Sequence, residues 1–339
     1  MKECIIHYHM ILILFTNLLY IFAKTYRYMG VAIAYPLQDF DTVNVDICRL
    51  SDERSGGWPR EKIDEEGDNT KGITSTILQR FNKTYQVIIG QTIQKINNRV
   101  MKRLGYSAEK VIDPWEMSEN RFNVLLTAVL RHRSGGSTFS ISNYHMPCAF
   151  YAPPVMNIHA EMVSKKVQDI AAESWKSICG DKVTEENGDS MGKTKTIPYI
   201  LAGDFNILPD SPHYKLLTTG ELDKSDATYP PSKHGEDWTI QCLPMDSAYA
   251  MKDVVEPEFT NYAHCREDPD PFIGTLDYIF LSQKECTSNS DGENKAGEWW
   301  KVNFVQNLPS KDDSGGPFPN EKEPSDHLLI AADLELVSK

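Results

Sequence analysis

The run ILAGDFNILPDSPHYKLL (residues 200–217) carries an apolar strand that stops at Gly203 and then delivers a carboxylate, Asp204, and a carboxamide, Asn206, before a proline turn. With the preceding TIPY the apolar run is continuous rather than alternating, which predicts a strand covered on both faces. Such a strand needs a packed layer on either side. A polar pair at its exit then sits at a sheet edge, where open sheets collect their binding sites.

The flanking sequence fits that frame. Residues 28–50 read as two strands, the first with Val31, Ile33 and Tyr35 alternating and closed by Pro36. A polar, Gly-rich loop follows, and then helical spacing over 73–103, whose Lys95, Arg99, Lys102 and Arg103 read as a solvated face. Val124–Leu130 and Phe139–Tyr144 form a hairpin around RSGGS. Val155, Ile158, Met162, Val163, Val167, Ile170 and Trp175 predict an amphipathic helix begun by Pro153 and Pro154. Residues 180–195 form a polar linker. GTLDYIFLS (274–282) is a strand, residues 284 to about 314 a polar insert, and SDHLLIAADLEL (325–336) the last strand. Short strands with interspersed helices and no regular βαβ rhythm predict a layered α/β or α+β domain.

The chain has 339 residues, 40% hydrophobic and 24% charged, enough for one large or two small domains. Its formal net charge of -13 excludes binding long duplex nucleic acid by charge alone, so no stable duplex DNA binding is expected. Seven widely spaced cysteines with no CxxC pair argue against a zinc knuckle or a disulfide framework. Residues 10–23 are apolar apart from Thr16 and Asn17, which is short for a membrane span of about 20 residues. Residues 1–28 are therefore an atypical segment before a domain spanning 29–339. It reads as an anchor, a signal-like stretch or an altered N-terminus.

Polar groups recur at strand ends. Asn143 and His145 lie at the exit of one strand, Asp204 and Asn206 at that of another, Asp277 stands two residues after Thr275 in a third, and Ser325, Asp326 and His327 open the last. Singly, each reads as a turn cap. Together they form a set suited to a hard cation and a phosphate. A carboxylate takes or orients the proton of an attacking water, a histidine donates to phosphoryl oxygens, and a second carboxylate fixes that histidine.

At these residues the chain resembles the endonuclease/exonuclease/phosphatase superfamily. GDFN (203–206), TLDYIF (275–280), SDH (325–327) and SNYHM (142–146) look like its signatures, in its order. GDFNILPDSPHYKLLTTG, FTNYAH (259–264), PNEKEPSDHLLIAADLEL and GVAIAYPLQDF are similar to segments of carbon-catabolite-repressor-type deadenylases and Angel proteins. The resemblance implies an α+β fold of two packed β-sheets flanked by helices, deoxyribonuclease-like and in four layers. It implies Mg²⁺-dependent phosphoester hydrolysis, with Mn²⁺ as an alternative. Asp204 would orient or deprotonate water, Asn206 would hold a phosphoryl oxygen or metal-bound water, and His327 would stabilise phosphoryl oxygens with Asp277 orienting it. Asp326 would lie at the metal, and His145 and Asn143 would contact phosphate. The expected substrate is RNA, attacked from its 3′ end, in the cytoplasm or nucleus. A membrane location through residues 10–23 is the alternative. The rival functions are a binding or scaffold protein without activity, and a phosphatase or phosphodiesterase of small phosphorylated or cyclic-phosphate substrates. One departure stands out. The family's principal metal-binding glutamate, in an LQE segment before the GVAIAY strand, has no counterpart, since only Glu3 precedes Gly30. Residues 1 to about 27 therefore read as a replacement of native sequence, leaving the fold N-terminally incomplete.

Overall fold

The computed structural model describes residues 30–61, 112–179, 195–265, 269–284, 286–288, 294–296, 298–321 and 323–337. The chain divides into one unit of residues 1–58 with 114–339 and a second of 59–113. Of the second only 59–61 and 112–113 are described, so the predicted helix over 73–103 lies outside the described residues, as do residues 10–23 and the 180–194 part of the linker. No helix among the described residues is long and apolar enough to cross a membrane.

In chain order the first unit contains β1 (Phe40–Arg49), α1 (Pro114–Glu119), β2 (Val124–His132), β3 (Thr138–Tyr144), α2 (Pro153–Cys179), β4 (Tyr199–Asp204) and α3 (Pro212–Thr219). Then come β5 (Met245–Ser247), α4 (Ala248–Asp253), β6 (Asn261–Ala263), β7 (Phe272–Gly274), β8 (Asp277–Ser282), β9 (Cys286–Ser288), β10 (Asn294–Ala296), β11 (Trp299–Val305) and β12 (Ala332–Val337). The main sheet has the order β1-β2-β3-β4-β8-β5. Its one parallel pair is β3 with β4, bridged by α2. The neighbours are antiparallel, so the sheet is mixed.

The continuous apolar run of β4 is explained by what lies on each side. Tyr199 and Leu201 join a core with α2 residues such as Val155, Val163 and Val167. Ile200 and Ala202 join a second core with Trp300, Val305, Leu334 and Leu336 of the β11–β12 sheet. β8 alternates in the same way, with Tyr278 and Phe280 on the helix side and Ile279 and Leu281 on the sheet side. Two packed sheets with helices on the outer face follow, as expected from the sequence.

Four expectations need correction. Residues 30–36 run as irregular backbone, paired with no strand among the described residues. They are held instead by Asn143, whose Nδ2 donates to the Ala32 carbonyl at 2.9 Å. The insert after residue 284 is not wholly polar loop. It contains β11, whose alternating Trp300 and Val302 reach the second core across a bulge between Val302 and Phe304. The last strand begins at Ala332, not Ser325, because residues 325–328 are bonded to the segment around Thr260.

The fourth concerns α2. Residues 155–164 are all buried, so this stretch has no solvent face. Its polar residues are paired rather than hydrated. Asn157 Nδ2 donates to the Thr228 carbonyl at 2.8 Å, His159 Nδ1 meets the Tyr144 hydroxyl at 2.9 Å, and Gln168 exchanges 2.9 Å bonds with the Leu243 backbone. Glu161 has a harder position. Burial pushes its pKa up to about 7, and the Gln241 N–H and the Arg54 charge offset only part of that. A carboxyl raised in this way favours folding fully below its unfolded pKa, and that contribution is lost as pH rises through 7. Glu161→Gln should therefore gain stability relative to the parent chain between pH 5 and pH 8, by on the order of 2 kcal/mol. Urea unfolding at the two pH values measures it, and a pH-independent difference would refute the assignment.

Candidate active site

The strand exit is shaped by one glycine. Gly203 has φ +150°, and a Cβ there would lie 1.9 Å from the Tyr144 carbonyl oxygen. The close approach lets β4 end beside the exit of β3, where the Met146 N–H donates to the Asp204 carbonyl at 2.8 Å. Phe205 then turns inward against Tyr278 and Phe280 and is fully buried. The next residue takes the left-handed conformation, φ 52°, which asparagine tolerates better than most residues. The Asn206 N–H donates to Asp204 Oδ1 at 2.9 Å, and its Nδ2 donates to the Met146 carbonyl at 3.0 Å. The Tyr278 hydroxyl anchors the turn from below through the Ile207 carbonyl at 2.9 Å.

Register brings the second carboxylate alongside. Asp204 and Asp277 are direct partners across the antiparallel β4–β8 pair. His327 arrives from the C-terminal segment. Its Nδ1 donates to Asp277 Oδ2 at 2.7 Å, and its Nε2 points to Asp204 Oδ2 at 3.8 Å. His145, just past β3, places Nε2 3.3 Å from the same Asp204 oxygen. Five of the seven expected residues, Asp204, Asn206, Asp277, His327 and His145, thus converge. The Asp326 charge acts on both Asp204 and His327, so it too borders the cluster. Asn143 differs. It is fully buried, with its amide committed to Ala32 and its Oδ1 unpartnered, so it braces the wall instead of facing solvent.

The charges are set by burial and by each other. Burial and the Asp277 charge raise the Asp204 pKa to about 7. Burial works against the charged form of His327, but the hydrogen bond and charge of Asp277, with the charges of Asp204 and Asp326, outweigh it and hold the pKa at about 9. His145 is lowered by burial and by the His327 charge. Near neutral pH the site holds a cationic His327, a neutral His145 and a carboxylate balanced between its two forms.

Thr260 was not expected. It is fully buried in the FTNYAH segment, and its Oγ1 donates to Asp277 Oδ2 at 2.7 Å. A threonine followed by Asn-Tyr carries no chemical signal in sequence, and only the fold brings it against Asp277.

The described residues do not by themselves fit a resident metal. No group of three His, Cys, Asp or Glu side chains that could hold an ion occurs among them. Asp277 Oδ2 is taken by two hydrogen bonds and Asp204 Oδ1 by a third.

No protein-family model matches the chain. Among curated proteins it is similar to the CCR4-Not complex 3'-5'-exoribonuclease subunit Ccr4 of Phaeosphaeria nodorum, 25% identical over 301 residues, covering 81% of this chain and 46% of that protein. It is also similar to the Ccr4 subunit of Yarrowia lipolytica, 24% identical over 234 residues, covering 67% and 30%. The chain spans less than half the length of these relatives. Among solved structures, ANGEL2, a 2',3'-cyclic phosphatase in complex with adenosine-2',3'-vanadate, aligns with a TM-score of 0.50 at 16% identity, over 91% of this chain and 70% of that one. The chain is thus similar in sequence to Ccr4 exoribonuclease subunits and in fold to ANGEL2. The strand-end segments on which the sequence resemblance rests are those that meet around Asp204.

Proposed function

We propose that the chain hydrolyses phosphodiester bonds, and that its substrate is the 3′ end of RNA. The observation that carries the reading is Asp204 Oδ2, held between His145 and His327, with His327 fixed from behind by Asp277. A water hydrogen-bonded to Asp204 gives up its proton to that oxygen as its own oxygen bonds to phosphorus, and the phosphorus–ester oxygen bond breaks, its electron pair staying on the ester oxygen, which takes a proton from bulk water. His327, cationic and fixed in direction, donates Nε2–H toward the phosphoryl oxygens, where charge builds. Asn206 keeps Asp204 pointed by donating to its other oxygen. The superfamily resemblance brings a divalent cation with it, Mg²⁺ or Mn²⁺. It would supply charge neutralisation on the phosphate and would draw on Asp326.

RNA is favoured over a small phosphate ester by two features. The curated relatives carry the name 3'-5'-exoribonuclease. Beside the cluster, Phe150 is 49% exposed and its ring lies 6.5 Å from that of half-buried Phe272. Phe272 folds over Gly274, three residues before Asp277, and such exposed rings are platforms for nucleobases.

The test is incubation of the purified chain with a labelled RNA ending in adenosines, with Mg²⁺, with Mn²⁺ and with EDTA. Stepwise shortening from the 3′ end that needs the cation and is lost in Asp204→Ala is the expected result. Cleavage of a 2',3'-cyclic or small phosphomonoester substrate instead would replace RNA as substrate. Failure on all of them would leave the scaffold reading.

A further inference from the structure

The Asp277–His327 pair is built from two segments far apart in the chain, and both are tied to one residue. Thr260 Oγ1 accepts hydrogen bonds from the backbone N–H groups of Leu276 at 2.9 Å and Asp277 at 3.0 Å. With its acceptor side occupied, its one proton is aimed at Asp277 Oδ2, 2.7 Å away. That is the oxygen that accepts from His327 Nδ1. The backbone of Thr260 holds the other partner. Its carbonyl accepts from the Leu328 N–H at 2.7 Å, its N–H donates to the Gly274 carbonyl at 3.1 Å, and Asn261 beside it pairs with His327 as an isolated bridge. Tyr262 N–H reaches the Asp326 carbonyl at 3.2 Å.

We infer that Thr260 is a positioning residue for the proposed hydrolysis, the fixed end of a Thr260–Asp277–His327 chain that sets where the imidazole stands relative to Asp204. The inference rests on the roles given above to Asp277 and His327. Two donors on one carboxylate oxygen leave that oxygen a single orientation. A carboxylate held only by histidine would be free to rotate about its Cβ–Cγ bond and carry the ring with it. His327 Nε2 stands 3.8 Å from Asp204 Oδ2, longer than a hydrogen bond, which leaves a phosphoryl oxygen as its natural partner. A small swing of the ring would move that donor off its target, and displacements of about 1 Å cost up to about 10²-fold in rate.

The experiment compares the parent chain with Thr260→Val, which keeps the shape and removes the hydroxyl, and Thr260→Ser, which restores it. Thr260→Ala serves in place of valine where the valine variant does not fold. Hydrolysis kinetics should show kcat down by roughly 10- to 100-fold in T260V with KM within about twofold, and most of that loss recovered in T260S. In parallel, the low-field Nδ1–H proton of His327, assigned by its absence in His327→Gln, should shift or broaden in T260V and return in T260S. A folded T260V with unchanged kcat and an unchanged proton signal overturns the inference. So does an equal loss in T260S, or a loss that merely tracks a lowered Tm. The proton signal requires no turnover, so a parent chain without phosphodiesterase activity would end the functional reading while the signal still decided the role of Thr260.

Discussion

Asp204→Asn should lower kcat for phosphodiester cleavage by at least about 10²-fold, with KM changed little, since it removes the proton acceptor and leaves the shape of the site intact. Asparagine keeps an oxygen for the Asn206 N–H and still fits a position that is almost wholly buried. The same change should stabilise the fold. Burial and Asp277 raise the Asp204 pKa to about 7, so its ionised form is disfavoured in the folded chain. Stability carried by the protonated carboxyl is lost as pH rises through 7, and a neutral amide does not lose it. Tm at pH 8 should therefore rise in the variant while activity collapses, as expected where function keeps a strained charge. The parent chain should be active where Asp204 is ionised and His327 still protonated, between pH about 7 and about 9, and the acid limb should be missing from any residual activity of the variant. An active, destabilised D204N would remove Asp204 from the proposed role.

The sequence made this centre legible because its parts sit at strand ends, where chain direction is fixed by few residues. Asp204 and Asp277 follow from two apolar runs that can only be buried strands, and their pairing follows once those strands are neighbours. Thr260 was not legible, since its role depends on a tertiary meeting of two segments separated by 17 residues in one case and by far more in the other. Asn143 was misleading because a carboxamide next to His145 looks equally suited to phosphate and to a buried brace. α2 was misread for a related reason. Asn157, His159, Glu161 and Gln168 imitate a solvent face, yet each meets a partner supplied by a distant loop or strand. Periodicity reports polarity and not exposure, so a buried polar network reads as a surface. β11 was hidden by the opposite effect, a strand whose bulge breaks the alternation that would have revealed it.

Gly203→Ala should cost at least about 3 kcal/mol of stability and abolish activity, since its added Cβ meets the tightest contact of any described glycine. Two penalties act together. The φ of +150° is one that side-chain-bearing residues rarely adopt, and the added Cβ would stand 1.9 Å from the Tyr144 carbonyl, a rigid backbone atom. Gly315 separates the two terms, since its φ is +77° but nothing lies within 4 Å of a Cβ built there. Gly315→Ala should cost only about 1 kcal/mol, the conformational term alone. The excess at Gly203 is then the cost of pushing β4 away from the exit of β3. That shift would break the Met146 N–H bond to the Asp204 carbonyl and carry Asp204 away from His145, so any folded fraction of the variant should also be inactive. Urea midpoints for the two alanine variants decide the matter. Equal losses at both glycines would mean that the strand exit can relax, and that the spacing of Asp204 from the histidines is not fixed by the backbone.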